Sequence, residues 1–405
     1  MSTASGIPVV DTDTHITEPP DLWTSRMSAK KWGDLIPHVK YADDTETEQW
    51  WFIGDNRASG QVAYSNFVRE PDGSARRVSG GSGGAESPKS FDTVHPSAFD
   101  AAERLKVMDA SGVDVAALYP NLSFFGYEGF YQSVKSEEFQ LECVRAYNDF
   151  IDDFTSIAPH RFIKLAVIPY WDVAETVKEI ERCAAKGFKG LVTTAAPHLH
   201  GQPYMADRHW DPIWDAATAA KLPVSFHAGG GDLSAHINAE RERVEGYSTS
   251  HARLTTAVFL DNAHQLVDLL NSGVLPRHPE LKFISVESGM GWVPFVLDSV
   301  DYHFEKLALH KEKPEFKAKP SEYFRNQVYV NYWFEKLDPY HLRHVGVENL
   351  LFETDFPHAT CIAFDEVGKT ISDGMGEADR EIQEHILWRN AAELYDLDLS
   401  FTGKA

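Results

Sequence analysis

Val9-Val10-Asp11-Thr12-Asp13-Thr14-His15, near the start of the chain, is an apolar run that ends in Asp-x-His. Asn349-Leu350-Leu351-Phe352-Glu353-Thr354-Asp355-Phe356-Pro357-His358, near its end, is another that ends in an acid. Read as strands lying side by side, the two bring Asp13, His15 and Asp355 to one point. Two carboxylates and an imidazole at one point suit a divalent cation, with zinc expected and iron or manganese as alternatives. Asp13 and His15 occupy alternate positions and so share one face of a strand. If that face lines a closed barrel, the buried carboxylate needs a cation or hydrogen-bond donors.

Working outward, apolar runs recur at 113–121, 162–170, 190–194, 222–227, 281–287 and 328–334, and make eight with the two above. Most are continuous rather than alternating, the pattern of parallel strands covered on both faces. Helical segments are expected between them at 98–110, after Ser97 as N-cap, and at 137–158, 173–186, 211–220, 251–270, 293–309 and 378–395. The link near 339–344 is short. Eight strands alternating with helices predict a (β/α)8 TIM barrel, with residues 1–405 as one barrel domain. An open doubly wound sheet is the other topology of this kind, but no Gly-x-Gly-x-x-Gly follows the first strand.

One link breaks the rhythm. Residues 18–96 run far beyond an ordinary strand-to-helix connection. Gln49-Trp50-Trp51-Phe52-Ile53-Gly54 and Gln61-Val62-Ala63-Tyr64 predict short strands around a turn at Asp55-Asn56, followed by the glycine tract Ser79 to Gly84. The expectation is a small β insertion, about 30–96, acting as a lid or a subunit contact. A patch at Trp50 and Trp51 would serve if the chain is a homo-oligomer, expected to be a dimer. A second polar loop, 228–250, would cover the same mouth.

Composition narrows the partners. Apolar residues make up 43% of the 405 and aromatics 12%, a globular rather than a disordered balance. The formal net charge of −23 disfavours nucleic acid and anionic membranes, which need a basic face. A small-molecule substrate is the expected partner. Cys143, Cys183 and Cys361 are too few and too scattered for a disulfide framework or a metal knuckle. With no signal-like N-terminus and no run of about 18 apolar residues, a cytoplasmic location is expected.

Barrel enzymes build their sites where strands end. Those ends carry Asp13 and His15, Asn121, Trp171, His198 and His200, His227, Glu287, Trp333, and Asp355 with His358. Asp13, His15, His227 and Asp355 are the expected metal ligands. Asp355, Glu287 and His251 are the expected catalytic groups. Trp171, His198, His200, Trp333 and His358 are expected to line the substrate. Glu353, on alternate spacing with Asp355, could take its place. Asp11 is expected to hydrogen-bond deeper in the barrel, and a Glu18 ligand would favour iron, manganese or a second metal.

The Asp-x-His strand with Glu18-Pro19, Val224-Ser225-Phe226-His227, Phe352 to His358, and Asn390-Ala391-Ala392-Glu393-Leu394-Tyr395 together resemble the amidohydrolase superfamily. The branch resembled is that of aminocarboxymuconate-semialdehyde decarboxylase, along nearly the whole chain. The resemblance implies a metal-dependent barrel, hydrolase or non-oxidative decarboxylase. His15 would be the second ligand of the first-strand pair, His227 the fifth-strand ligand and Asp355 the eighth-strand acid. Two positions depart from the pattern. Asp13 stands where the family often has His, or Glu in aromatic acid decarboxylases, and Glu287 stands where decarboxylases usually have a catalytic histidine. A glutamate there removes the expected proton donor near neutral pH, so hydrolysis of an amide, ester or thioester by a metal-activated water is expected over decarboxylation.

Overall fold

The computed structural model describes residues 6–42, 47–57, 62, 65–78, 86–122, 134–231 and 239–404. Eight parallel strands close into a barrel: Val10–Ile16, Val115–Pro120, Phe162–Val167, Gly190–Thr193, Val224–His227, Phe283–Val286, Val328–Tyr332 and Leu350–Phe352. The first pairs with both the second and the eighth, so the terminal runs do lie side by side. All but two of these residues along the eight strands are buried, which is why their sequences read as continuous apolar runs. Val10, Val115, Ala117, Ile163, Leu165, Val192, Ile284 and Leu351 fill the lumen, with Ala391 and Tyr395 of the terminal helix Asn390–Tyr395 joining them. Outward-facing residues such as Ala116, Ala166, Leu191, Phe226 and Phe283 meet the surrounding helices.

Helices Glu137–Thr155, Val173–Ala185, Asp211–Ala220 and Val293–Lys306 follow their strands as expected. The helix before the second strand, Ala101–Ser111, starts later than expected because Asp100 caps it, accepting from Glu103 N. Ser97 lies in a preceding 3-10 turn, its carbonyl taken by Arg104 Nε at 2.6 Å. The single helix expected at 378–395 is three pieces, with a π turn at His385–Arg389 between Arg380–Glu384 and Asn390–Tyr395. Asp365–Met375 is a helix the sequence did not announce. Gly368 and Gly374 lower its intrinsic propensity by about 1 kcal/mol each relative to alanine. Gly374 is there for space: a Cβ would collide with the Tyr332 hydroxyl and sit 2.9 Å from the Glu335 carbonyl. Gly374→Ala is therefore expected to destabilise the fold by about 1–3 kcal/mol, read from its urea midpoint.

Within the insertion, His38–Tyr41, Gln49–Ile53 and Asn56–Arg57 form a three-stranded antiparallel sheet, and Phe67–Arg69 pairs with Ala75–Arg77. The hairpin turn falls at Gly54-Asp55, and the strand after it is Asn56–Arg57. The strand expected at 61–64 and the glycine tract at 79–84 lie outside the described residues, apart from Val62. Trp51 is not a surface patch. It is fully buried opposite Val39, edge-on to Trp23 with ring centroids 5.0 Å apart. Removing this indole is expected to lower the unfolding free energy by about 3–5 kcal/mol; a Trp51→Ala protein that unfolds at the wild-type urea concentration would show that the ring is no part of the core. The second hairpin sits on the loop after the eighth strand. Asn66 N donates to the Pro357 carbonyl at 3.1 Å, Phe67 packs on Phe356, and Arg77 donates to Glu366 at 2.7 and 3.0 Å.

Among the described residues, no helix is long and apolar enough to cross a membrane.

Candidate metal centre

The first strand changes phase on its way to the site. Val10 faces the lumen, whereas Asp11 and Thr14 line a small cavity under the helix Ala101–Ser111 together with Arg104 and Val107. Strict alternation from Asp11 would turn Asp13 and His15 outward as well. The pairing with the second strand shifts register between Asp11 and Thr14, and this irregularity re-aims Asp13 and His15 into the lumen. Asp11 is thus not deeper in the barrel. It accepts from Thr354 N at 3.0 Å and from the Thr354 hydroxyl, tying the first strand to the eighth from outside. Burial, with the Asp13 charge nearby, pushes its carboxyl up to about 8 against the Thr354 bonds.

At the C-terminal mouth five side chains meet. His15 Nε2 lies 3.5 Å from Asp13 Oδ1, 3.5 Å from Asp355 Oδ1 and 3.9 Å from Glu287 Oε2. His227 Nε2 lies 3.5 Å from Asp13 Oδ1, and its Nδ1 lies 3.4 Å from Glu287 Oε2. Bond accounting fixes both tautomers. His15 Nδ1 donates to the Pro120 carbonyl at 3.1 Å, and His227 Nδ1 to the Ala228 carbonyl at 2.9 Å. Each Nε2 therefore turns a lone pair toward carboxylate oxygens, an arrangement that a cation reconciles. Burial, then the neighbouring His358 and His227, hold His15 well below the usual imidazole range and keep it a neutral donor.

The acids tell the same story. Both oxygens of Asp13 and of Asp355 are buried and accept no hydrogen bond within the described residues. Burial, reinforced by Asp355 and Asp13, pushes Glu287 well above the usual carboxylate range. Burial, then Asp13 and Asp11, does the same to Asp355. Such crowding of buried like charges is costly without a cation. The donors fit one. Asp13, His15, His227 and Glu287 form a set whose ligand atoms lie within 4.8 Å of one another, and His15, Glu287, Asp355 and His358 form a second. Nitrogen and oxygen donors in this mixture suit a divalent transition metal.

Glu287 is thus among the candidate ligands as well as the expected catalytic groups. Both Glu287 and Asp355 take positive φ, 55° and 60°, a conformation that costs a non-glycine residue about 1–3 kcal/mol and clusters at functional sites.

The remaining expected residues divide. His358 stacks on His15 with ring centroids 3.8 Å apart. Its Nδ1 faces Asp355 Oδ1 at 2.7 Å and its Nε2 faces Asn121 Oδ1 at 2.7 Å. It therefore belongs to the centre rather than the rim, and burial lowers it to about 4. His200 Nε2 donates to the Gly230 carbonyl at 2.9 Å, and His198 stacks on Tyr204. Trp171 packs edge-on to Tyr170, and buried Trp333 packs against Phe259 and Phe334. His251 stacks on Tyr247 in the helix Tyr247–Ser272, and no described hydrogen bond or ion pair joins it to the cluster. Glu18 is not among the grouped donors: its Oε1 accepts from Asn121 N and Leu122 N, at 3.0 and 2.8 Å.

The loop after the fifth strand is as tight as Gly229-Gly230-Gly231 suggested. Gly229 has φ of 88°, and a Cβ on Gly231 would collide with the Asp261 carboxylate. Gln265 clamps this loop, donating to the His227 carbonyl at 3.2 Å and accepting from Ala195 N at 3.1 Å. Arg104, buried under the first strand, donates to the His15 carbonyl. Neither support had a sequence signal beyond a polar residue in a helix.

The family described as amidohydrolase matches residues 10–397. Among solved structures, an amidohydrolase from Mycobacterium avium subsp. paratuberculosis K-10 is 22% identical, with a TM-score of 0.72 over 97% of this chain and 100% of that one. The 5-carboxyvanillate decarboxylase of Novosphingobium aromaticivorans DSM 12444, solved with bound manganese, is 17% identical, with a TM-score of 0.67 over 98% and 99%. A dihydroxybenzoic acid decarboxylase from Polaromonas sp. JS666, solved with manganese and 2-nitroresorcinol, is 19% identical, with a TM-score of 0.61 over 98% and 99%.

Proposed function

Since the chain belongs to the amidohydrolase family, we propose that it is a metal-dependent, non-oxidative decarboxylase of a small aromatic carboxylic acid. The observation that carries the metal dependence is the lumen cluster, in which two histidines of fixed tautomer meet two buried acids, Asp13 and Asp355, and the part-buried Glu287 at the mouth of the barrel. Decarboxylation is preferred to hydrolysis because solved chains of this architecture act on 5-carboxyvanillate and dihydroxybenzoic acid. The acid-x-His order of Asp13 and His15 also matches the Glu-x-His of aromatic acid decarboxylases in kind. The manganese in those two chains makes manganese as strong a candidate as zinc.

In this reading Asp13, His15, His227 and Asp355 would hold the cation, with Glu287 as a fifth candidate ligand. When bound, the cation would supply positive charge to hold a substrate carboxylate at this mouth. The reaction breaks the bond between ring carbon and carboxyl carbon, releases carbon dioxide and places one proton on the ring carbon. Glu287, 3.4 Å from His227 and 3.9 Å from His15, is the carboxyl positioned to deliver that proton. Trp171 and Trp333 contribute apolar wall, and the insertion borders the mouth through its contacts with the loop after Asp355.

The test is incubation of Mn2+-loaded and Zn2+-loaded protein with hydroxylated benzoic acids and with acyl esters, amides and thioesters. Carbon dioxide release at the rate of substrate loss is expected. Hydrolysis without carbon dioxide would replace this reading with a hydrolase acting through the same centre.

A further inference from the structure

We propose that Glu353 is a positioning residue: its buried carboxylate fixes the main chain of Glu287 and so sets where the Glu287 carboxylate stands against the two histidines. The inference rests on the metal-centre reading above. Glu287 directly follows the sixth strand, Phe283–Val286, and turns there into the left-handed region. Its N–H donates to Glu353 Oε2 at 3.0 Å. Asn331 of the seventh strand donates to the same oxygen through Nδ2 at 2.5 Å. Glu353 N in turn donates to the Tyr332 carbonyl at 3.1 Å, which anchors the residue just after the eighth strand. One oxygen atom thus joins the ends of three adjacent strands beneath the cluster.

Packing alone does not account for an acid at this point. Glu353 is fully buried, and its Oε1 accepts no hydrogen bond within the described residues. Asp13 and Glu287 lie close enough to raise the cost of a further carboxylate. What the position uses is the single oxygen that two donors share. Glu353 is absent from both donor sets, so its action on the centre passes through Glu287 and not through direct ligation. A glutamine can present an oxygen in the same place, whereas a leucine fills the volume and leaves the Glu287 N–H without its acceptor.

The experiment is Mn2+ titration of the metal-stripped full chain by calorimetry, for wild type, E353Q, E353L, E287Q and the E287Q/E353L double variant. E353L is expected to weaken Mn2+ by about 10–100-fold, the range seen when outer partners of ligands are removed. E353Q is expected to stay within about 3-fold of wild type. The double variant is expected to bind no more weakly than the worse single variant, because both changes act through one group. An E353Q as weak as E353L would overturn the proposal, because the charge itself would then be in use. Additive losses in the double variant would overturn it too, while leaving the metal centre standing. If E353L fails to fold, N331A replaces it, with a smaller loss in the same direction expected and wild-type affinity overturning the proposal. A wild-type chain that takes up no Mn2+ would overturn this inference together with the metal-centre reading.

Discussion

His227→Ala is expected to leave the protein folded, without bound divalent cation, and with turnover at least about 100-fold lower. Removing an outer hydrogen-bond partner of a metal ligand already costs about 10–100-fold in affinity or activity, so a direct ligand should exceed that. The imidazole is committed: Nδ1 donates to Ala228 O, and Nε2 points at Asp13. The backbone around it is held independently by Gln265 and by pairing with the fourth and sixth strands. An alanine there should therefore change the centre more than the fold. Metal content after gel filtration and the thermal midpoint separate the two effects. A variant that keeps its metal would remove His227 from the ligand set.

Glu287→Gln is expected to lower kcat by about 10²–10⁴-fold, the range lost with a positioned proton-transfer group. Its main-chain contact with Glu353 does not involve the side chain, so the local conformation should survive. The amide keeps the shape but can neither give nor take the proton. If Glu287 only ligates, metal affinity and kcat fall together; if it transfers the proton, kcat falls further than affinity does. Wild-type kcat in this variant, with an unchanged pH profile, would remove Glu287 from the reaction.

The barrel was legible because its strands are buried on both faces, and two-sided burial writes itself as continuous Val, Ile, Leu and Ala. The order of the site residues followed from the strand ends. The facing of Asp13 and His15 did not follow from alternation alone, since the register shift after Asp11 reverses the phase and leaves no mark in composition. The same holds for the positive φ of Glu287 and Asp355, which no glycine announces. Trp51 misled because a buried indole and an exposed one are the same letter. Its burial comes from Trp23, distant in sequence. Glu353 was visible as an acid near Asp355, but its bond to Glu287 crosses 66 residues and needs the closed barrel to exist. Glu287 reads in the sequence as an ordinary strand-end carboxylate, and only the closed barrel sets it against His15 and His227.

The most direct measurement is anomalous diffraction from crystals of the protein grown with Mn2+, collected to locate the ion. A single strong peak is expected at the C-terminal mouth, in coordination contact with His15 Nε2 and His227 Nε2 and with carboxylate oxygens from Asp13 and Asp355. A peak elsewhere, or a mouth without one at saturating Mn2+, would contradict the assignment of this cluster as the metal centre.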